Sequence, residues 1–318
     1  MEVKKCPCCG SKKIRRIYKN LKDKNHFIEG TFDIMSCQEC NIEFLNPLLN
    51  EKQLARYYPK QDYYSFKKKS YLPLFYHQIS SLYYAKKSFL LNFLLYPFSS
   101  LLYTYHINKE SKDKKILEIG CGDGLGLEIY KRYELKTKGI EPYGNKLTER
   151  EKSLGIERKS IKQAKFKENE FDYIILKEVL EHIPNQGEIF KKSHEWLKPE
   201  GKLILTLPNK ESWVNKIFKQ NWYGYDVPRH VYNYSPKSIE RMLKKYGFKV
   251  KRIRKYELPY MITGSIKFKK AKKKEKLKIV ESPIATLFFT PISLILTYLK
   301  KGSIMEIEAI KLTKDKEK

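Results

Sequence analysis

Short apolar runs alternate with amphipathic stretches from residue 115 onward. The apolar runs predict strands at 115–120, 136–141, 171–176, 202–208, 248–257 and 304–313. The amphipathic stretches predict helices near 124–133, 144–154, 187–197 and 236–246. This alternation is typical of an α/β fold, in which helices cover both faces of a parallel sheet.

The preceding region, 48–110, has a different pattern. It is dense in tyrosine, leucine and phenylalanine, contains no glycine, and repeats its apolar residues with helical spacing. We therefore expect two or three helices here, forming a lid or docking region.

Two C-x2-C pairs stand near the N-terminus, Cys6 with Cys9 and Cys37 with Cys40. Four thiolates at this spacing can surround one tetrahedral Zn²⁺, and four sulfur ligands leave no open position for a substrate. The sequence thus predicts a small structural zinc ribbon at 1–47, with Cys8 as a spare thiol. Reduced cysteines without a metal are the alternative.

A glycine loop follows the first predicted strand of the α/β region. Residues 118–124 read E-x-G-x-G-x-G, which lacks the spacing of the dinucleotide fingerprint and the G-K-[ST] of a phosphate-binding loop. The next predicted strand ends at Glu141, about 20 residues further on, where a carboxylate can accept both hydroxyls of an adenosine ribose.

A polar cluster, "KEVLEHIPN", follows the run 171–176. In a helical turn, Glu178, Glu181 and His182 would share one face. Three interpretations stay open: His182 as a general base that positions the acceptor, a divalent metal held by all three side chains, or a structural helix start. His230, in the aromatic loop with "DVPRH", is a second candidate for the same site.

The quoted motifs "ILEIGCGDG", "GIEP", "EFDYIILKEVLEHIPN", "WLKPEGKLILTLPN" and "DVPRHVYNYSPKSIERMLKKYGF" occur in the order found in class I S-adenosylmethionine-dependent methyltransferases. The chain resembles the bacterial members that carry an N-terminal zinc ribbon. This resemblance implies a Rossmann-like seven-stranded sheet with an antiparallel last strand at 111–318, interrupted by a basic and apolar insertion at 258–303.

The resemblance also implies S-adenosylmethionine as the cofactor. Its expected contacts are Glu118, Gly120, Cys121, Gly122, Gly124, Glu141, Pro142, Ile161, Lys162 and Lys177. Many relatives have an aspartate near the adenine amino group, where this chain has Lys162 or Gln163. The E-x-x-E-H pattern of Glu178, Glu181 and His182 is similar to that of ubiquinone-pathway O-methyltransferases and a plant small-RNA 2′-O-methyltransferase, in which such residues hold Mg²⁺.

Two acceptor chemistries are disfavoured by the motifs. A pyrimidine-C5 methyltransferase needs a free cysteine nucleophile, and the [DNS]-P-P-[FYW] motif for exocyclic amines is replaced by "LKEVLEHIP". We expect O-methylation of a small or lipid-linked metabolite, with a saccharide in cell-envelope glycan assembly as the leading class. His182, His230 and Glu181 are the expected catalytic residues. An RNA 2′-O-methyltransferase and a non-catalytic binding protein are the alternatives.

Charge and hydropathy add candidate partners. The formal net charge of +29 favours polyanions such as lipid headgroups or nucleic acid, although lysines spread over a solvated surface would give the same value. The uncharged segment 283–299 lies between lysines and contains Pro291, so an interfacial membrane segment and a buried helix are both consistent with it. The N-terminus lacks the apolar core of a signal peptide, so we expect a cytoplasmic protein, peripheral on the inner face of the membrane if 283–299 binds there.

Overall fold

The computed structural model describes residues 3–58, 112–271 and 283–312. Most of the predicted helical region 48–110 lies outside the described residues. The strands, in chain order, are β1 (Ile14–Leu21), β2 (Phe32–Cys37), β3 (Glu43–Asn46), β4 (Lys115–Ile119), β5 (Lys136–Ile140), β6 (Ile156–Glu157), β7 (Phe171–Lys177), β8 (Leu197–Pro208), β9 (Tyr232–Asn233), β10 (Phe248–Tyr256) and β11 (Ile304–Lys311).

The helices are α1 (Glu51–Leu54), α2 (Leu125–Arg132), α3 (Glu149–Ser153), α4 (Gln186–Trp196), α5 (Trp213–Phe218), α6 (Pro236–Lys245), α7 (Pro259–Lys270) and α8 (Pro283–Tyr298). Single 3₁₀ turns occur at Ala55–Tyr57, Leu180–His182, Lys219–Asn221 and Tyr223–Tyr225.

The larger sheet has seven strands in the order β10-β11-β8-β7-β4-β5-β6. Strands β4 to β8 pair in parallel, whereas β11 is antiparallel to both of its neighbours. The apolar side chains of β4 and β7 are buried on both faces of the sheet, as in other parallel sheets. The seven-stranded sheet and its antiparallel last strand are therefore confirmed.

The element bounds differ from the sequence pattern in several places, and the strand predicted at 202–208 begins five residues earlier, at Leu197. The helix predicted at 144–154 is shortened to α3, because Gly144 has a φ of 111° and Thr148 caps the helix by accepting a hydrogen bond from Glu151 N–H. The two-residue strand β6 is too short to give a periodic signal.

A second sheet of four antiparallel strands has the order β1-β2-β3-β9. The first three come from the N-terminal region, but β9 belongs to the segment between α5 and α6. Residues Glu43 and Phe44 pair with Asn233 and Tyr232, and the Leu45 N–H donates to the Val231 carbonyl at 3.0 Å. The N-terminal sheet is thus completed by a strand from the α/β region.

The insertion before the last strand contributes α7 and α8, and its two ends meet at Glu257. One carboxylate oxygen of Glu257 accepts hydrogen bonds from the Ser303 N–H at 2.8 Å and the Ser303 hydroxyl at 2.7 Å. Gly302 lies so close to the Tyr256 backbone that a Cβ would come within 2.2 Å of its carbonyl group. Among the described helices, none is both long and apolar enough to cross a membrane.

Candidate active site

The glycine loop turns sharply between β4 and α2. Gly120, Gly122 and Gly124 have φ values of 71°, 56° and 82°, a region that other L-residues rarely adopt. A Cβ on Gly120 would also lie 2.5 Å from the Val179 side chain. The loop therefore requires glycine for both conformation and space.

Glu118 and Lys177 lie behind this loop, on the side of α2. The Glu118 carboxylate packs over Gly126, where a Cβ would come within 2.5 Å of Oε2. Burial raises the pKa of Glu118 to about 7, and burial lowers the pKa of Lys177 to about 8. The Lys177 ammonium donates to the Tyr130 hydroxyl at 2.7 Å. Both side chains therefore pack against α2, the helix that follows the loop.

Glu141 connects the loop to the end of β5. Its carboxylate oxygens accept hydrogen bonds from the Gly122 N–H and the Tyr143 N–H, each at 3.0 Å. Burial raises its pKa, while these two backbone donors lower it. Cys121 is buried against Gly139, and Pro142 is exposed beside Tyr143.

The segment with Ile161 and Lys162 is held by Lys192. The Lys192 ammonium donates to the carbonyls of Ile161, Lys162 and Ala164 at 2.7, 3.2 and 3.2 Å. The Lys162 side chain extends to the surface, where it pairs with Glu51 at 3.2 Å. Three backbone carbonyls of this segment are therefore paired with Lys192, and the Lys162 ammonium is paired with Glu51.

The polar cluster does not form the helical face that its spacing suggests. Glu178 has a φ of 52°, and a 3₁₀ turn begins after it at Leu180. The structure instead brings Glu181 and His182 together with His230 from the aromatic loop, with one ligand atom from each within 4.8 Å of the others. Glu178 lies outside this group of three.

Both histidines of this triad contact a backbone carbonyl through Nδ1. His182 Nδ1 lies 3.1 Å from the Arg229 carbonyl, and His230 Nδ1 lies 2.7 Å from the Gly224 carbonyl. A carbonyl can only accept, so these contacts favour the tautomer in which Nδ1 carries the hydrogen and Nε2 keeps its lone pair. Within the described ranges, His182 Nε2 and both carboxylate oxygens of Glu181 have no hydrogen-bond partner.

Burial shifts the pKa values of the acids and of the histidines in opposite directions. Burial lowers the pKa of His182 to about 3, with a further contribution from His230. Burial raises the pKa of Glu178 to about 8, and burial together with Glu178 raises that of Glu181. Buried polar atoms without partners are costly, so this arrangement favours a cationic or hydrogen-bonding ligand.

An ion-pair network that the sequence does not reveal fixes the loop before His230. The Arg229 guanidinium is buried between two carboxylates: it donates to Asp226 at 2.7 and 2.8 Å and to Asp23 at 2.7 and 3.0 Å. Arg229 keeps the pKa of Asp226 well below its usual range, despite burial. Asp23 comes from the segment between β1 and β2, so its role was not accessible to any local pattern. Tyr58, whose hydroxyl lies 3.0 Å from His182 Nδ1, was missed for the same reason.

The four predicted zinc ligands are also brought together. Cys6 Sγ lies 3.6 Å from Cys40 Sγ, Cys9 Sγ lies 3.6 Å from Cys37 Sγ, and all four sulfurs lie within 4.8 Å of one another. Four thiols at these distances can hold Zn²⁺. Cys8 is buried but lies outside this group.

Comparisons with known proteins identify one domain of the chain. Residues 96–253 match a family model described as a methyltransferase domain. The chain contains a methyltransferase domain of the S-adenosylmethionine-dependent type. The methyltransferase is 31% identical to a phosphoethanolamine N-methyltransferase of Plasmodium falciparum over 34% of this chain and 45% of the relative. It is 29% identical to the mitochondrial ubiquinone biosynthesis O-methyltransferase of Mus musculus, over 47% of this chain and 45% of the relative.

The match thus spans less than half the length of these curated relatives. Among solved structures, the Burkholderia thailandensis 1,6-didemethyltoxoflavin-N1-methyltransferase has a TM-score of 0.46 and 10% identity, covering 91% of the methyltransferase and 99% of that chain. A Haemonchus contortus phosphoethanolamine N-methyltransferase 2 with bound S-adenosyl-L-methionine has a TM-score of 0.42 and 18% identity. The match covers 69% of this chain and 52% of that chain.

Proposed function

We propose that the methyltransferase moves a methyl group from S-adenosylmethionine to a hydroxyl of a small or lipid-linked metabolite, with saccharides as the leading acceptor class. The main observation in support of this proposal is that Glu181, His182 and His230 lie close together beside the glycine loop. Strands β4 and β7 are parallel neighbours, so the loop after β4 and the triad after β7 lie at the same edge of the sheet. Ligands of open α/β sheets bind at this edge.

The roles of the individual residues follow from the requirements of the reaction. Displacement at a sulfonium methyl group needs alignment above all, and good positioning supplies about 7–11 kcal/mol. In the proposal, the glycine loop and Glu141 hold the cofactor, while the triad receives the acceptor hydroxyl. The buried aromatic side chains of Trp222 and Tyr225 in the loop before His230 help to exclude water.

A divalent cation fits the triad better than a free histidine base does. A histidine with a pKa near 3 takes up a proton poorly, but its lone pair is available to a metal at neutral pH. Glu181, His182 and His230 would hold the ion, with Glu178 as a fourth candidate. Because two imidazoles with one carboxylate favour transition ions over Mg²⁺, Fe²⁺ or Zn²⁺ is the better candidate. A bound ion would lower the pKa of the acceptor hydroxyl.

The experiment combines transfer and binding. Labelled cofactor is incubated with the enzyme and with aqueous or lipid extract fractions, and equilibrium dialysis measures Fe²⁺, Zn²⁺ and Mg²⁺ binding. We expect Glu181→Gln to lose the ion and to slow transfer by about 10²–10⁴-fold. Glu195→Gln, an exposed carboxylate on α4, is the matched control.

The outcomes separate the alternatives. Transfer that survives chelation but is lost in His182→Gln would replace the metal by a histidine base. Failure to bind S-adenosylmethionine in calorimetry would overturn the proposal, and cofactor binding without single-turnover transfer to any fraction would favour a non-catalytic binding protein.

RNA is the second candidate acceptor, and the net charge of +29 favours it. Phosphate contacts make RNA affinity fall steeply with salt. If label enters RNA and binding weakens between 50 and 200 mM salt by about 10³-fold or more, the 2′-O-methyltransferase alternative replaces the metabolite. Absent or salt-insensitive RNA binding would remove it.

A further inference from the structure

Helix α8 exposes large apolar side chains, although Leu296 on its inner face is buried in the core. Its most buried side chains include Thr290 and Ser293, while Leu287 and Phe288 are each 70% exposed and Tyr298 is 86% exposed. A helix at the surface of a water-soluble domain normally turns its apolar face inward. The outward face of α8 is therefore built for an apolar environment.

This exposed apolar surface is concentrated in one place. Seven of the ten large apolar side chains exposed in the described ranges lie between Ile284 and Leu299, so they form a patch rather than scattered positions. Trp213 and Ile217 of α5 are also exposed, and the Trp213 N–H donates to the Lys301 carbonyl at 3.0 Å. That contact places α5 beside the C-terminal end of α8 and extends the patch.

Basic residues border the patch. The last turn of α7 carries Lys267, Lys269 and Lys270, and Lys300 and Lys301 follow α8. Helix α8 has no acidic residue in its first turn, and the sequence between α7 and α8 is itself lysine-rich. An apolar face bordered by lysines complements an anionic bilayer, which offers acyl chains below a layer of negative headgroups.

We propose that the outer face of α8, together with Trp213 and Ile217, docks on the surface of an anionic membrane. The helix lies in the interface rather than spanning it, consistent with its length. A second copy of the chain is a poorer partner, because an isologous contact would bring the two lysine borders together. The proposal does not depend on methyl transfer or on the acceptor.

The site of docking is close to the candidate active site. Helix α8 packs on α7, whose Tyr260 ring lies 6.2 Å from the ring of Tyr223 in the loop that carries His230. Docking through α8 would hold the acceptor side of the enzyme near the headgroups, where a lipid-linked acceptor would present its polar end.

The first test is co-sedimentation of the full chain with vesicles of phosphatidylcholine, with or without 30% phosphatidylserine. We expect binding to the anionic vesicles that weakens with salt, and weak binding to the neutral ones. Leu287→Glu should reduce partitioning about tenfold or more. Lys152→Gln, which makes the same change in charge on exposed α3, should bind like the unchanged protein.

The second test uses tryptophan fluorescence. Trp196 and Trp222 are buried and Trp213 is 40% exposed, so brominated lipids should quench Trp213, and Trp213→Phe should abolish the quenching. Circular dichroism establishes that each variant is folded. Absence of vesicle binding and of quenching would overturn the proposal. A dimer in sedimentation equilibrium, or cross-links between α8 and residues 59–111, would then identify what covers this face instead.

Discussion

Glu141 has two roles at the residue scale. It stands where the cofactor ribose is expected, and its carboxylate also ties Gly122 to Tyr143 through backbone hydrogen bonds. We expect Glu141→Gln to weaken S-adenosylmethionine binding by about tenfold or more, because hydrogen bonds to a charged group contribute about 1.5–3 kcal/mol each. Isothermal calorimetry measures the change.

Lys162→Ala is the matched control for that measurement. The Lys162 side chain pairs with Glu51 at the surface, so its removal should leave cofactor affinity within about twofold. A loss as large as that of Glu141→Gln would show that Lys162 turns toward the adenine when the cofactor binds, and that the role of Glu141 is not specific.

Some site residues could be predicted from local sequence and others could not. The glycine loop and Glu141 are encoded by a short motif and by spacing within one βαβ unit. The approach of His230 to His182 depends on where a long loop returns, and Asp23 reaches Arg229 from another sheet. Long-range placement of this kind leaves no periodic signal in the chain.

At the scale of elements, the four-cysteine group should bind one metal ion. We expect zinc in the purified chain at one ion per molecule, and Cys40→Ser should lose it and lower the unfolding midpoint. Elemental analysis and thermal unfolding measure both quantities. Cys8→Ser should keep the ion because Cys8 lies outside the group. Zinc retained in Cys40→Ser would contradict the assignment.

The ion pair between the N-terminal sheet and the aromatic loop has a testable cost. Asp23→Asn removes one of the two carboxylates that hold buried Arg229, and breaking a buried pair costs about 3–5 kcal/mol. We expect this loss in urea unfolding, together with a lower kcat because the loop carries His230.

Asp33→Asn is the control in the same sheet. Asp33 pairs with Arg16 near the surface, so we expect a change of no more than about 1 kcal/mol and an unchanged kcat. Equal destabilisation by the two variants would contradict the importance assigned to the buried network.

For the whole molecule, the junction of the insertion at Glu257 gives stability a pH dependence. Burial raises the pKa of Glu257 to about 8 from its ordinary value near 4.5. The folded state therefore binds the proton more tightly, and this contribution to stability is complete below about pH 4.5 and is lost as pH rises through 8.

Glu257→Gln should remove that dependence. Between pH 5 and 8 we expect the unfolding free energy of the unchanged protein to fall relative to that of the variant, with each unit of pKa shift worth about 1.4 kcal/mol. Urea unfolding at the two pH values measures the difference. Parallel pH profiles would show that the Glu257 carboxyl titrates alike in both states.

The architecture of the α/β region follows closely from its sequence, since buried parallel strands and amphipathic helices have distinct periods. The exposed apolar face of α8 could not be predicted in the same way: a segment without charges gives no sign of which side packs inward. The pairing of β9 with β3 was equally inaccessible, because its two residues carry no strand pattern.

That pairing has a consequence for synthesis on the ribosome. The cysteines of the N-terminal sheet are synthesised well before β9, yet the sheet stays three-stranded until Tyr232 and Asn233 have been translated. Contacts between residues so distant in sequence form late and slow folding. The small N-terminal sheet therefore cannot be completed before the loop that carries His230 has been synthesised, so the zinc-ligand region and this part of the candidate site reach their final structure together.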